Sequence, residues 1–209
     1  MKKLLTYDWA THQPLIKALL ELKKPQFVLE LGIGMFSTPL FDGIAYLGIE
    51  NDAKWIAEVL KNSNQSAGKK TFMHHDIGVP SSRKFANLNK EQREGIVNYF
   101  LEVKQNLPDI RPSMLFVDSF VATRGIGMKL LQSKFDVIVF HDAQPRSAHI
   151  YDYPELSGFS KFYLTSEKAW TGVYVRNLQK KEIQSTIRPY IDEFRTAFGY
   201  RGRMEVIDA

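Results

Sequence analysis

The stretch Glu30-Leu31-Gly32-Ile33-Gly34, followed by Ser37, joins a carboxylate to two glycines one residue apart. Glycine lets a backbone turn tightly and approach a ligand, and a helix beginning there favours an anionic group. Glu30 alters that reading, because a negative charge beside a phosphate is unfavourable but suits a ligand bearing an ammonium group. Where a dinucleotide site has its third glycine, this chain has Ser37. Further along, Glu50-Asn51 offers a carboxylate to the two hydroxyls of a ribose. Asp76-Ile77 offers an acid and an apolar side chain to the amino group and face of an adenine. Asp118 and the pair His141-Asp142 remain. Two carboxylates held close repel unless one is protonated or a cation bridges them, and Mg²⁺ is a cation that takes one or two carboxylates. His141 or His149 would serve a metal-free route as general base, since imidazole titrates near working pH.

These residues need a scaffold that brings them to one edge. Near-continuous apolar runs at 26–31, 45–50, 70–75, 113–118 and 135–141 suit strands buried on both faces of a parallel sheet. Helical patterns at 52–61, 89–106 and 124–133 separate them, which is the rhythm of a doubly wound α/β domain. A helix at 11–23 precedes the first strand, with Pro14 in its first turn. Strands at 161–165 and 171–177 are joined by too few residues for a parallel crossover, so they run antiparallel. A helix at 179–198 closes the chain, with a bend expected at Pro189. In a doubly wound sheet the strands' carboxyl ends form the ligand crevice, where the named acids all fall. Ammonium, carboxylate, ribose and adenine together describe S-adenosylmethionine. The segment 143–159, with Tyr151, Tyr153 and two prolines, reads as a loop covering the substrate. Arg124 and Arg146, read as lying in the loops after the two acids, would hold an anionic group or form salt bridges to Asp118 or Asp142.

Composition narrows the classes. With 44% hydrophobic and 24% charged residues, 209 residues can bury a core without staples, and disorder is excluded. Zero cysteines remove disulfides, thiolate zinc sites and thiol catalysis. No apolar run approaches the length of a membrane span, and the opening MKKLLTYDW lacks a signal peptide's apolar region, so a cytoplasmic protein is expected. Lys and Arg number 28 against 23 acids, and the excess gathers between Arg176 and Arg203. Such a tail suits phosphates, or simply a solvated amphipathic helix. One domain over 1–209 is expected, with a helical cap at 1–24, a core at 25–177 and an appended helix at 178–209.

The chain resembles the class I S-adenosylmethionine-dependent methyltransferases. The residues that carry the resemblance are E-L-G-I-G-M-F-S-T at Glu30–Thr38, G-I-E-N-D at Gly48–Asp52, H-D-I at His75–Ile77 and F-V-D at Phe116–Asp118. The resemblance implies a seven-stranded, mostly parallel sheet in the order 3-2-1-4-5-7-6 with the last strand antiparallel. It places Glu30, Gly32, Gly34 and Ser37 at the methionine end, Glu50 and Asn51 at the ribose, Asp76 and Ile77 at the adenine, and Asp118 beside them. Tyr7, His12 and Gln13 would close over the cofactor. It also points to the small-molecule O-methyltransferases that hold Mg²⁺ through acids after strands 4 and 5, here Asp118 and Asp142, and present a diol to the methyl group. Those enzymes usually follow the second acid with Asn, whereas this chain has Ala143.

The expected reaction is methyl transfer to a hydroxyl of a small molecule or saccharide, with Asp118, His141 and Asp142 catalytic. Arg124, Arg146, His149 and Tyr151 would meet the substrate. After the fourth strand the chain reads Asp118-Ser119-Phe120-Val121, without the two prolines typical of enzymes that methylate base amines. A nucleic-acid methyltransferase using the basic tail, a nicotinamide oxidoreductase on the same sheet and a non-catalytic cofactor-binding regulator stand as alternatives. Unpaired sheet edges and an exposed C-terminal helix would allow a homodimer.

Overall fold

The computed structural model describes residues 9–62 and 70–209. Helix α1 (Gln13–Lys23) leads into β1 (Phe27–Leu31). The chain then alternates through β2 (Ala45–Glu50), α2 (Ala53–Asn62), β3 (Lys70–His74), α3 (Lys90–Asn106), β4 (Ser113–Val117), α4 (Val121–Leu131) and β5 (Val137–Phe140). After α5 (Pro145–Tyr151) come β6 (Ser160–Thr165), β7 (Thr171–Val175), α6 (Lys180–Phe198) and β8 (Glu205–Asp208). The strands form one sheet in the order β3-β2-β1-β4-β5-β7-β6-β8. β1 to β5 run parallel, β7 is antiparallel to β5, and β6 is antiparallel to β7. This is the expected doubly wound sheet with one added strand.

Three features depart from the sequence reading. The added strand is β8, antiparallel to β6, so the sheet has eight strands rather than seven. Its four residues are too few for alternation to show, and only the β6 edge decides their conformation. Segment 145–151 is a helix, because Pro145 at its start fixes a helical φ and loses no hydrogen bond there. Helix α4 begins at Val121, three residues before the expected start, which places Arg124 a turn inside the helix rather than at its junction with the preceding loop.

Side chains alternate between two cores. Val28, Met114, Phe116, Val137 and Val139 face α1 and α6, whose Leu15, Leu19, Ile183 and Ile187 are all buried. Leu29, Leu31, Leu115, Val117 and Ile138 face α3 and α4. Each such side chain contributes about 1.5–3 kcal/mol by leaving water, so the central strands are fixed from both sides. Helix α6 therefore is no free appendage: it shares a core with α1 and runs on through Pro189. α3 starts on a capping box, Asn89 Oδ1 accepting from Gln92 N–H at 2.8 Å while Gln92 Oε1 accepts from Asn89 N–H at 3.2 Å.

Candidate active site

A cleft of about 650 Å³ opens at the carboxyl ends of β1, β2, β4 and β5, within the range of roughly 300–1,000 Å³ that small ligands occupy. Gly32, Gly34, Glu50 and Trp55 line one side, and Asp118, His141, Asp142 and Lys168 line the other. The β1 and β4 ends are drawn tightly together there. Gly32 has φ +81°, and a Cβ on it would lie 2.5 Å from the carbonyl oxygen of Asp118. Any side chain at 32 would push β4's end away, so this glycine is required by backbone approach. Asp118 N–H completes the contact by donating to Leu31 O at 2.8 Å.

Glu30 does not reach the cleft. Its side chain is fully buried on the α1 face of the sheet, where Ser37 Oγ, Thr38 Oγ1 and Tyr46 OH all donate to its carboxylate. Thr38 Oγ1 in turn accepts from Gly34 N–H at 3.1 Å, so the acid braces the glycine loop from beneath instead of meeting an ammonium group. Burial drives its pKa up to about 7, against hydrogen bonds that favour the ionised form. The hydroxyls of Ser37-Thr38 and the phenol of Tyr46, opposite Val28 on β2, were the sequence signal for this internal role.

Glu50 does line the cleft. Its Oε1 accepts from the N–H groups of Asn51 at 2.7 Å and Asp52 at 3.0 Å, which fixes the carboxyl at the end of β2. Burial raises its pKa, with backbone donors from Asp52, Asn51 and Ile33 opposing. Asn51 turns away and donates from Nδ2 to His75 O at 2.8 Å, tying β2 to β3. Asp76 is exposed and accepts from Gly78 N–H at 2.8 Å, and neither it nor Ile77 lines the cleft. Trp55 stands nearer: its Nε1–H donates to Ile33 O at 2.7 Å on the glycine loop. Ser81 also lines the cleft, its carbonyl accepting from Val121 N–H at 3.1 Å. Neither residue was singled out from sequence, where Trp55 reads as part of an amphipathic helix.

On the far side four charged groups converge. Arg124, only 7% exposed, donates from Nη2 to Asp118 Oδ1 at 2.7 Å and from Nη1 to Asp142 Oδ2 at 3.1 Å. The opposite oxygens, Asp118 Oδ2 and Asp142 Oδ1, face His141 Nδ1 at 3.4 and 3.9 Å. His141 Nε2 meets Thr11 Oγ1 at 3.1 Å. Burial opposes ionisation of Asp118, but Arg124 and then His141 outweigh it and hold its pKa down at about 2. His141 moves the other way: burial lowers its pKa, yet Asp118 and Asp142 outweigh that and raise it above the ordinary value.

Arg124 thus serves the acids and not a substrate. Tyr151 donates to Asp142 Oδ2 at 3.2 Å and lies with its ring 4.2 Å from the guanidinium. It too supports the cluster. Gly125 makes this possible, because a Cβ there would strike Asp152 O at 2.2 Å, and its absence lets α5 press against α4. Arg146 is exposed on α5 and does not line the cleft. The side chain of His149, and Tyr7, lie outside the described residues. Gln13 Nε2 donates to Phe36 O at 2.8 Å, joining α1 to the glycine loop. His12 lines the cleft floor, 2% exposed, with neither ring nitrogen hydrogen-bonded. Its ring lies 5.1 Å from that of His141, and burial, then His141, push its pKa down to about 3.

The Mg²⁺ expected at Asp118 and Asp142 fits this donor set poorly. One oxygen of each acid is taken by Arg124, and the group facing the other two is an imidazole, which suits zinc or iron better than magnesium.

No protein-family model matches the chain, and no curated protein matches it. Solved structures do. A protein from Legionella pneumophila superposes with a TM-score of 0.56 at 12% identity, covering 98% of this chain and 97% of that one. Human methyltransferase-like protein 13, solved with S-adenosylhomocysteine, gives 0.52 at 15% identity, covering 89% of this chain and 92% of that one. At such identities the likeness is one of fold.

Proposed function

We propose that this chain, which carries the Rossmann-like fold of the class I methyltransferases, transfers a methyl group from S-adenosylmethionine to a hydroxyl of a small molecule or saccharide. The carrying observation is one cleft with a fixed carboxylate, Glu50, on its β2 side and the Asp118–His141–Asp142 cluster on its β5 side. S-adenosylmethionine supplies an electrophilic methyl group on a sulfonium. Glu50 would accept the ribose hydroxyls, and Trp55 with Ser81 would flank the adenine in the place first assigned to Asp76 and Ile77. Gly32 and Gly34 line the approach towards the methionine end.

On the β5 side the acceptor hydroxyl would meet the acids, and its proton would pass to Nδ1 of His141, whose Nε2 is held by Thr11, as the new C–O bond forms and the methyl's bond to sulfur breaks. Asp118 stays ionised and keeps the imidazole oriented by facing Nδ1. His141 must be neutral to take that proton, and its pKa is raised. The rate is therefore expected to climb as pH rises through that value and level off above it, and a kcat–pH profile checks this. A flat profile from mildly acid to alkaline pH would remove His141 from the proton's path.

The basic tail gives the nucleic-acid alternative little support. Lys180 pairs with Asp208, Arg203 with Glu205 at 2.6 Å and Arg195 with Asp192 at 3.4 Å. The deciding experiment is calorimetric titration of the full chain with S-adenosylhomocysteine. Glu50→Ala should weaken binding tenfold or more, about 1.4 kcal/mol. No binding to the wild type would sink the methyltransferase reading.

A further inference from the structure

We infer that Arg124 takes the place of a divalent cation between Asp118 and Asp142, so that the site works without a metal and selects its acceptor without chelation. The inference rests on the methyltransferase reading for its consequence, but its geometry stands alone. Two acids after neighbouring strands need a positive partner, and a guanidinium satisfies both from one plane. Asp118 Oδ1 and Asp142 Oδ2 receive separate nitrogens, Nη2 and Nη1, at 2.7 and 3.1 Å.

That guanidinium is built in. Its Nε donates to Ser119 O at 2.6 Å, and Nη1 also reaches His141 O and Tyr153 OH at 3.3 Å each. Tyr153 OH donates onward to His141 O at 2.6 Å, and the Tyr151 ring closes the remaining face. Swinging Arg124 aside for an ion would take the 2.6 Å donor from Ser119 O and leave His141 O with Tyr153 OH alone. It would also leave a cation without its counter-charges.

A metal using only the opposite oxygens is the competing arrangement, since Asp118, His141 and Asp142 offer atoms within 4.8 Å of one another. Charge opposes it. Arg124 already occupies one oxygen of each acid and cancels one of their two negative charges, which leaves a divalent ion only one net counter-charge. The consequence reaches substrate choice. Enzymes that hold Mg²⁺ at this position present a chelated diol, whereas a site closed by an arginine needs only one hydroxyl near His141. Acceptors lacking a vicinal diol should then serve as well as those that have one.

The test is metal binding by the EDTA-treated full chain. Mn²⁺ is titrated and followed by electron paramagnetic resonance, with and without S-adenosylhomocysteine. The wild type should show no saturable site tighter than about 1 mM, and Mg²⁺ should leave its melting temperature unchanged. Arg124→Gln frees both acids, and it should gain Mn²⁺ affinity by about tenfold or more and be stabilised by the ion. The wild-type arm decides even if the variant fails to fold. A stoichiometric Mn²⁺ site in the wild type that Asp142→Asn removes would overturn the inference. So would a folded Arg124→Gln that gains no affinity, since something else would then exclude the ion. The S-adenosylhomocysteine titration on the same sample reports separately on the methyltransferase assignment.

Discussion

Glu30 and Asp118 stand at the carboxyl ends of neighbouring strands, and the protein treats them in opposite ways. Around Glu30 are three neutral hydroxyls, from Ser37, Thr38 and Tyr46, and burial wins: the pKa rises to about 7. Around Asp118 burial acts in the same direction, but Arg124 and His141 reverse it and the pKa falls to about 2. Hydroxyls fill a carboxylate's lone pairs without cancelling its charge, whereas a guanidinium does both. One acid consequently braces a loop, and the other stays ionised at the wall of the cleft.

Asp118→Asn should have the largest effect on stability. It leaves Arg124 short of one counter-charge in a buried setting, and a loss of about 3–5 kcal/mol is expected in urea unfolding. A variant as stable as the wild type would mean that Asp142 alone balances the guanidinium.

His12→Phe should act in the other direction. His12 lies near Asp118 but has no hydrogen bond, and its ring already packs 5.0 Å from Phe116. Removing two unsatisfied nitrogens should stabilise the fold by about 1–3 kcal/mol, with a loss of ligand affinity if those nitrogens serve the cleft. The folded-state pKa of about 3 lies below the ordinary 6.5. The native form therefore resists protonation, and its stability is full above pH 6.5 and falls as pH drops towards 3. Urea midpoints at pH 5 and pH 8 should show the variant's advantage widening at the acid end.

Glu30→Gln should be the mildest, within about 1 kcal/mol at pH 5, because the native carboxyl is largely protonated there. Its raised pKa contributes stability that is full below 4.5 and lost as pH rises through about 7. Wild-type stability should therefore decline over that interval more than the variant's does. A pair of parallel curves would show that Glu30 is ionised throughout and that its three hydroxyls do more than satisfy lone pairs.

The sequence made much of this site legible and misassigned part of it. Asp118, His141, Asp142, Gly32 and Glu50 announce themselves because each ends or follows an apolar strand, and strand ends converge in a doubly wound sheet. Glu30 is misleading for the same reason: it belongs to β1 itself, and its parity sends the side chain to the α1 face with Val28, below the cleft. Arg124 was legible as a partner of Asp118 or Asp142. That it bridges both depends on α4 starting at Val121, which hydrophobic pattern did not show. Trp55, Ser81 and Lys168 carry no local motif at all, and only the packing of α2 and of the loops that hold Ser81 and Lys168 brings them to the cleft.

The sequence by itself determined the strand and helix alternation, the sheet order that follows from the resemblance, and the edge at which the acids gather. The alternation and the edge rest on local periodicity and on connection lengths, which are properties of the chain alone, and the sheet order rests on the resemblance. Only the tertiary structure decided which acid is caged by hydroxyls, which pair shares a guanidinium, and which histidine is left without a partner. Those outcomes turn on distances between residues far apart in the chain, such as the 3.1 Å between Thr11 and His141. Charge and desolvation change over a few ångströms, a scale that no sequence spacing encodes.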